Sequence, residues 1–325
     1  IGERAEQERF GHTDFHYRAD TLAAYASDEA ESRPILMLRD AGEAVAYLRI
    51  NLPHSANTHT VHAEAVLLPG RDPGLLLDAL WPPFLELCQR ESRTALTWWE
   101  YSGQDNPSLP AATGSGAVEA TAMAEWLQSH DFTLDQVELI STLHLPAEVG
   151  KGDVDKHYEV VTWEGPTPEH LLEPMARLRG RMATDAPHGS REAEEEVWDA
   201  ARIRREEARA RDSHRVVLWA VALNESGEPV GYTFVECPER QPEIAYQADT
   251  LVRAEDRGHG LGLALKRANA LQLQTVRPQV KRLHTWNAEE NRWMLGINRA
   301  LGFVTSSAMG AWQRTLDAST EAPSP

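Results

Sequence analysis

Two copies of one α/β unit, joined in tandem, is the architecture this sequence predicts. Three observations carry the prediction. A strand–turn–strand pattern occurs once in each half, a glycine-bearing turn then leads into an apolar helix, and an alternating strand closes each half. The 325 residues are enough for two cores of ordinary size.

In the first half, residues 35–38 and 44–50 read as a hairpin about the turn at 39–42. Residues 65–67 precede Gly70-Arg-Asp-Pro-Gly74 and an apolar helix that runs through Cys88. A strand at 94–98, a segment ending in Phe132 and a closing strand at 139–145 complete the unit. In the second half the same order returns. Residues 215–223 and 230–235 flank the turn at 224–229, and 250–252 precede Arg257-Gly258-His259-Gly260-Leu261-Gly262 and a helix to about residue 274. A strand at 282–286, the segment 298–303 and a closing strand at 311–316 follow. Two helices, at 168–182 and 190–209, should open this half, with a loop at 183–189 that contains His188. The division expected is a first unit at 1–147, a linker at 148–156, a second unit at 157–317 and a disordered tail at 318–325. The Gly/Ser/Pro-rich insertion at 103–116 belongs to the first unit alone and should be a mobile loop.

Composition narrows the function. The net charge of -18 argues against nucleic-acid binding, which needs a positive footprint. No window approaches 18 consecutive apolar residues, so no membrane span is expected. The opening residues lack the apolar core of a signal peptide. Two cysteines, Cys88 and Cys237, make no disulfide framework, which fits a cytoplasmic protein. His12, His16, His54, His59 and His62 show no zinc spacing, so no metal is expected. Trp98, Trp99, Trp286 and Trp293 read as core or interdomain packing.

The glycine turn of the second half carries the chemistry. A helix N-terminus offers unpaired N–H groups and a partial positive charge, which suit a diphosphate. Glycines at 258, 260 and 262 let the backbone approach closely. The Gly-Lys-Ser/Thr ending of a nucleotide P-loop is missing. A dinucleotide fingerprint would belong to an early βαβ unit, whereas this turn follows a hairpin.

Val252, Arg257-x-x-Gly260-x-Gly262 and the following helix resemble the acyl-CoA-binding motif of the GNAT acetyltransferase superfamily. Asn287-Ala-Glu-Glu-Asn291 and the stretch from Met294 to Phe303 resemble its next motif. The resemblance is strong over 215–316, weaker over 156–214 and only architectural over 1–147. The two-copy plan resembles that of tandem GNAT proteins, mycothiol synthase among them. It implies two tandem GNAT folds, each a mixed, mostly antiparallel twisted sheet flanked by helices. It also implies acetyl-CoA as cofactor and a small-molecule primary amine as acceptor.

The site implied is specific. Leu251 and Val252 would border the pantetheine arm. The amides of Gly258, His259, Gly260, Leu261, Gly262 and Leu263 would hold the diphosphate, with Arg257 starting the turn. Asn287 or Asn291 would reach the arm or the adenine side, helix capping being the alternative for Asn287. In the first copy Asp72 and Leu76 stand where Gly258 and Gly262 stand in the second, so that copy should not bind CoA. Asp249 is the candidate base, or else a structural aspartate at a strand bulge; Tyr246 and Glu243 are weaker alternatives. Where many relatives place a tyrosine acid this chain has Asn298, which leaves a hydrogen bond to the sulfur but no proton of its own to give. Non-catalytic acyl-CoA binding and a mycothiol-synthase-like activity are the alternatives. The expected assembly is a monomer that acts as an internal pseudo-dimer, or a weak homodimer.

Overall fold

The computed structural model describes residues 1–25, 31–54, 56–150, 154–182 and 198–316. The first half runs α1 (Gly2–Phe10), α2 (Ala19–Tyr25), β1 (Glu31–Ser32), β2 (Ile35–Asp40), β3 (Glu43–Pro53), β4 (Thr60–Leu67), α3 (Pro73–Arg90), β5 (Ala95–Ser102), β6 (Leu109–Pro110), β7 (Ala117–Val118), α4 (Ala122–Ser129) and β8 (Thr133–His144). The second runs β9 (Tyr158–Glu164), α5 (Leu172–Gly180), α6 (Ala200–Asp212), β10 (Arg215–Asn224), β11 (Pro229–Pro238), β12 (Ile244–Val252), α7 (Leu261–Val276), β13 (Arg282–Ala288), α8 (Arg292–Leu301) and β14 (Val304–Thr315). The strand–hairpin–helix order expected for each copy is present, in a mixed sheet flanked by helices.

The halves differ from the expected pair in how they close. The main sheet follows the order β3-β4-β5-β14-β8-β13-β12-β11-β10-β9, with β1 and β2 both on β3. Each closing strand therefore lies against the other half: β14 pairs with β5, and β8 pairs with β13. The two closing strands pair with each other as well. Packing follows the exchange. Trp312 of β14 is buried in the first half's core beside Trp98, Trp126 and Phe132. Leu143 of β8 is buried in the second half's core beside Leu283 and Phe303. A periodicity-2 pattern specifies a strand but not its neighbour, so the exchange was not readable from either segment.

β11 is the central strand of the second half and is buried almost throughout. Its two faces meet different layers. Tyr232 and Phe234 pack under α5 and α6, while Val235 and Val230 face the α7 side. α6 starts at Ala200, capped by Asp199, later than expected. The loop with His188 and the acidic run at 192–196 lie outside the described residues, as does the tail.

Two other expectations change. The 103–116 insertion is anchored: its strand β6 pairs with β7 just beyond it, and Ala111 is buried in the first core beside Val118 of β7. Trp293 is no packing residue; it is 89% exposed on the first turn of α8. Cys88 and Cys237 are both buried. Among the described residues no helix is long and apolar enough to cross a membrane.

Candidate functional site

The site is built where β12 and β13 part. These parallel strands pair only from Ile244↔Arg282 to Tyr246↔His284. Beyond that point β12 pairs with no described strand on its β13 side, from Gln247 to Val252, which opens that edge of the strand. A bulge sharpens the opening: β11 and β12 shift register between Thr233 and Val235, leaving Ala248 and Asp249 opposite Phe234. Buried side chains hold the bulge. Gln247 donates to Thr233 Oγ1 and to the Phe234 carbonyl, both at 2.8 Å. Thr233 donates to the Asp249 carbonyl at 3.0 Å, and Thr285 of β13 to the Gln247 carbonyl at 3.3 Å.

Asp249 is half-buried on this bulge. Burial first, and then the Asp249 charge, push the Tyr232 phenol above its ordinary range. The carboxylate thus faces the α5–α6 side of the sheet. Tyr246 is a poor base candidate, because its hydroxyl donates to the Asp14 carbonyl and burial raises its pKa. Glu243 sits at the closed end of the strand pair, exposed and bound to Lys281 at 2.5 Å.

The turn that follows β12 ends at an open helix N-terminus. Gly258 and Gly260 have φ of +90° and +71°, a region where side chains are strained. A Cβ at either position would meet nothing within 4 Å, so the glycines serve backbone shape and access. Gly260 caps α7 without any side-chain hydrogen bond. Among the described residues, the chain supplies no acceptor to the amides from Gly258 to Leu263. Gly262 has a different reason: a Cβ there would lie 2.9 Å from Ile297 of α8, so it allows two helices to pack. Arg257 folds back and donates Nε–H to the Val252 carbonyl at 3.1 Å. The His259 ring is bound to Asp155 at 2.9 Å. Leu251 is buried and Val252 half-buried at the strand end.

Asn287, Asn291 and Asn298 have three separate settings. Asn291 is the helix cap, accepting from the Met294 amide at 3.2 Å. Asn287, at the diverging end of β13, accepts instead from Asn298 Nδ2 at 2.6 Å. Asn298 is buried, and its oxygen accepts from Lys266 Nζ at 2.7 Å. Both ends of its amide are therefore used inside the protein, and any effect of Asn298 on a thioester must pass through Asn287. Lys266 is a residue that sequence reading missed. A signal existed: Lys266, Asn269, Ala270 and Leu273 fall at i, i+3, i+4 and i+7, and all four are buried.

The first half completes the surroundings. The segment after α1 crosses to the base of the splay. There the buried carboxylate of Asp14 accepts from Arg282 at 2.5 and 2.9 Å and from His284 Nε2 at 2.9 Å. Burial pushes the Asp14 carboxyl up, but the hydrogen bonds from His284 and Arg282 outweigh it and hold the group below the usual range. Above this anchor a cavity of about 380 Å³ opens between the halves, lined among others by Tyr17, Glu64, Trp99, Tyr246, Ala248 and Trp286. It reaches the bulge at Ala248, one residue short of Asp249. Among the described residues no cluster of His, Cys, Asp or Glu is fit to hold a metal ion.

The matching place in the first half is built differently. β4 and β5 stay paired over five positions, from Thr60↔Ala95 to Glu64↔Trp99. β4 pairs with β3 in one unbroken register, without a bulge. Asp72 caps α3, its carboxylate accepting from the Leu75 amide at 3.2 Å, with Pro73 in the first turn. Leu76 is buried beneath that turn.

Solved structures resemble the whole chain. A tandem GNAT protein from the clavulanic acid biosynthesis pathway matches at TM-score 0.77 and 25% identity, over 99% of this chain and 94% of that one. A GCN5-related N-acetyltransferase from Sphaerobacter thermophilus matches at TM-score 0.64 and 13% identity, over 96% and 90%. Another from Kribbella flavida matches at TM-score 0.53 and 13% identity, over 93% and 98%. The last two show likeness of fold alone. No protein-family model and no curated protein sequence matches the chain.

Proposed function

From the tandem GNAT architecture of this chain, we propose an acetyl-CoA-dependent N-acetyltransferase that acts on a primary amine of a small molecule. The observation that carries the reading is the row of unclaimed amides at the start of α7, beside a strand that bulges and parts from its neighbour. Those residues fit a CoA diphosphate: positive-φ glycines with open space above them, no capping carboxylate, and the positive end of a 16-residue helix.

In this reading the amides of Gly258 to Leu263 bind the diphosphate, and the free edge at Leu251 and Val252 borders the pantetheine arm. When bound, acetyl-CoA supplies an acyl group activated as a thioester. The chain's own work is to place the amine and manage protons. Asp249, at the bulge, takes the proton of the acceptor ammonium, directly or through water. The cavity between the halves holds the acceptor's body against aromatic faces and excludes water. The first half is a wall of the site and not a second cofactor site. The exchanged closing strands make one chain the complete unit, working as a monomer.

Thiol release from acetyl-CoA, measured across a panel of small primary amines, tests the reading; turnover with at least one amine is the expected result. The burial of Asn298 favours a second reading, in which acyl-CoA is bound without turnover. Tight binding of acetyl-CoA with no thiol release for any amine would select it. Binding of neither acetyl-CoA nor CoA would remove both.

A further inference from the structure

We propose that Lys266 is a positioning residue that sets the direction of a buried hydrogen-bond chain, so that Asn287 presents an N–H donor to the acyl end of the cofactor. The inference rests on the acetyl-CoA reading of the site. Its basis is the sequence of contacts Lys266–Asn298–Asn287, at 2.7 and 2.6 Å.

An amide side chain has a donor end and an acceptor end, and either end can face a neutral partner. An ammonium removes the choice, since it donates only. With Lys266 protonated, the oxygen of Asn298 must face it. The Asn298 NH2 group then faces Asn287, whose oxygen must accept. The Asn287 NH2 group is left as the outward end. Asn287 stands on β13 beyond the last paired position, His284, and so borders the splay where the thioester would lie. A donor there stabilises charge on the carbonyl or the departing sulfur. That is a service a tyrosine hydroxyl would give elsewhere, supplied here without a proton transfer.

The lysine is otherwise unexplained. It is 1% exposed, on a helix face that packs against β9 to β12, and it has the Phe303 ring at 5.9 Å. No carboxylate partners it among the described residues. Burial lowers its pKa to about 7, and no charged group on β9 to β12 or on α8 acts to offset this. An uncompensated lysine in a core is costly, and leucine or methionine would serve packing better. Near neutral pH the ammonium is half lost, and with it the enforced direction: a neutral amine both donates and accepts. The chain then tolerates Asn287 in either orientation. Donation should fade as pH rises through about 7.

The test uses the full chain and two probes. Adenosine 3′,5′-bisphosphate and acetyl-CoA are titrated into the wild type, Lys266→Met, and the double variant Lys266→Met/Asn298→Leu. The double variant removes the Asn298 oxygen that Lys266→Met alone would leave without its donor. Thiol release is followed from pH 6 to 9. The nucleotide, which carries no thioester, should bind all three proteins alike. Acetyl-CoA binding and thiol release should each fall roughly tenfold in both variants, the loss expected for one charge-directed hydrogen bond. The fall in rate above about pH 7 should vanish in both variants. Wild-type acetyl-CoA affinity and an unchanged pH profile in the double variant would overturn the proposal while leaving the acetyltransferase reading intact. A wild type that binds neither probe would remove that reading, and the proposal with it.

Discussion

The turns before α3 and α7 stand at the same place in the two halves, and their helices begin in opposite states. At α3 the carboxylate of Asp72 accepts from the Leu75 amide and Pro73 removes another donor. At α7 Gly260 offers no side chain, and among the described residues nothing accepts from the first amides. The strands beside them differ in the same sense. β4 is regular and paired for five positions, whereas β12 bulges and parts after three. A helix start that supplies its own anion is stable alone; one that lacks it is ready for an outside anion. In the proposed reading the first half stands without a ligand and the second binds one.

The sharpest way to break this contrast is to give the second half the first half's cap. Gly260→Asp places a carboxylate at the start of α7 and should weaken acetyl-CoA binding by on the order of 100-fold. The fold, followed by circular dichroism, should survive at some cost in stability: the φ of +71° strains any side chain, but a Cβ at 260 meets nothing within 4 Å. Affinity within a few-fold of wild type would show that these amides do not hold the diphosphate.

The next effect concerns the bulge that only β12 has. Asp249→Asn should lower thiol release by roughly 100-fold, the lower end for a lost general base. Acetyl-CoA affinity should change little. Unchanged turnover from pH 6 to 9 would leave Asp249 a structural role alone.

The contrast also predicts where the first half matters. It is tied to the splay by Asp14, through Arg282 and His284. Asp14→Asn should cost about 2–3 kcal/mol at pH 7, since it leaves partners of a buried ion pair without their charge. The pH dependence has a definite sign. The Asp14 carboxyl is held below its ordinary value, so its contribution is complete above the unfolded aspartate pKa of about 3.9. It is lost as pH falls toward the folded value. The gap between wild type and variant in denaturant unfolding should therefore hold steady above about pH 4 and narrow progressively as pH falls below it; a gap that does not narrow there would point to packing and not charge.

The smallest effect comes from the reverse exchange. Asp72→Gly removes the cap of α3 and should cost about 0.5 kcal/mol, the usual penalty when glycine replaces a capping side chain. It should create no second acetyl-CoA site, because β4 keeps its regular edge and Leu76 stays buried below the turn. A gain of binding would mean that the cap alone distinguishes the halves.

Much of this contrast was legible in the residues. Asp72 against Gly258 marked the two turns as different, and the structure shows the carboxylate as a cap for its own helix. The repeated hairpins stood out because strand periodicity and turn residues are local signals. What escaped depends on distant partners. The closing strands 133–144 and 304–315 look alike in pattern, and only the assembled sheet decides that each lies against the other half. Asn298 appeared free to meet a sulfur, because the lysine that binds it lies 32 positions away. Trp293 reads as packing because aromatic residues usually are, yet it is largely exposed on α8.

The central claim is that one chain holds one acyl-CoA site, in its second half. A calorimetric titration of the full-length protein with acetyl-CoA reads this directly. The account predicts a stoichiometry of one, abolished by Gly260→Asp and untouched by Asp72→Gly. A stoichiometry of two, or a single site that persists in Gly260→Asp, would contradict it.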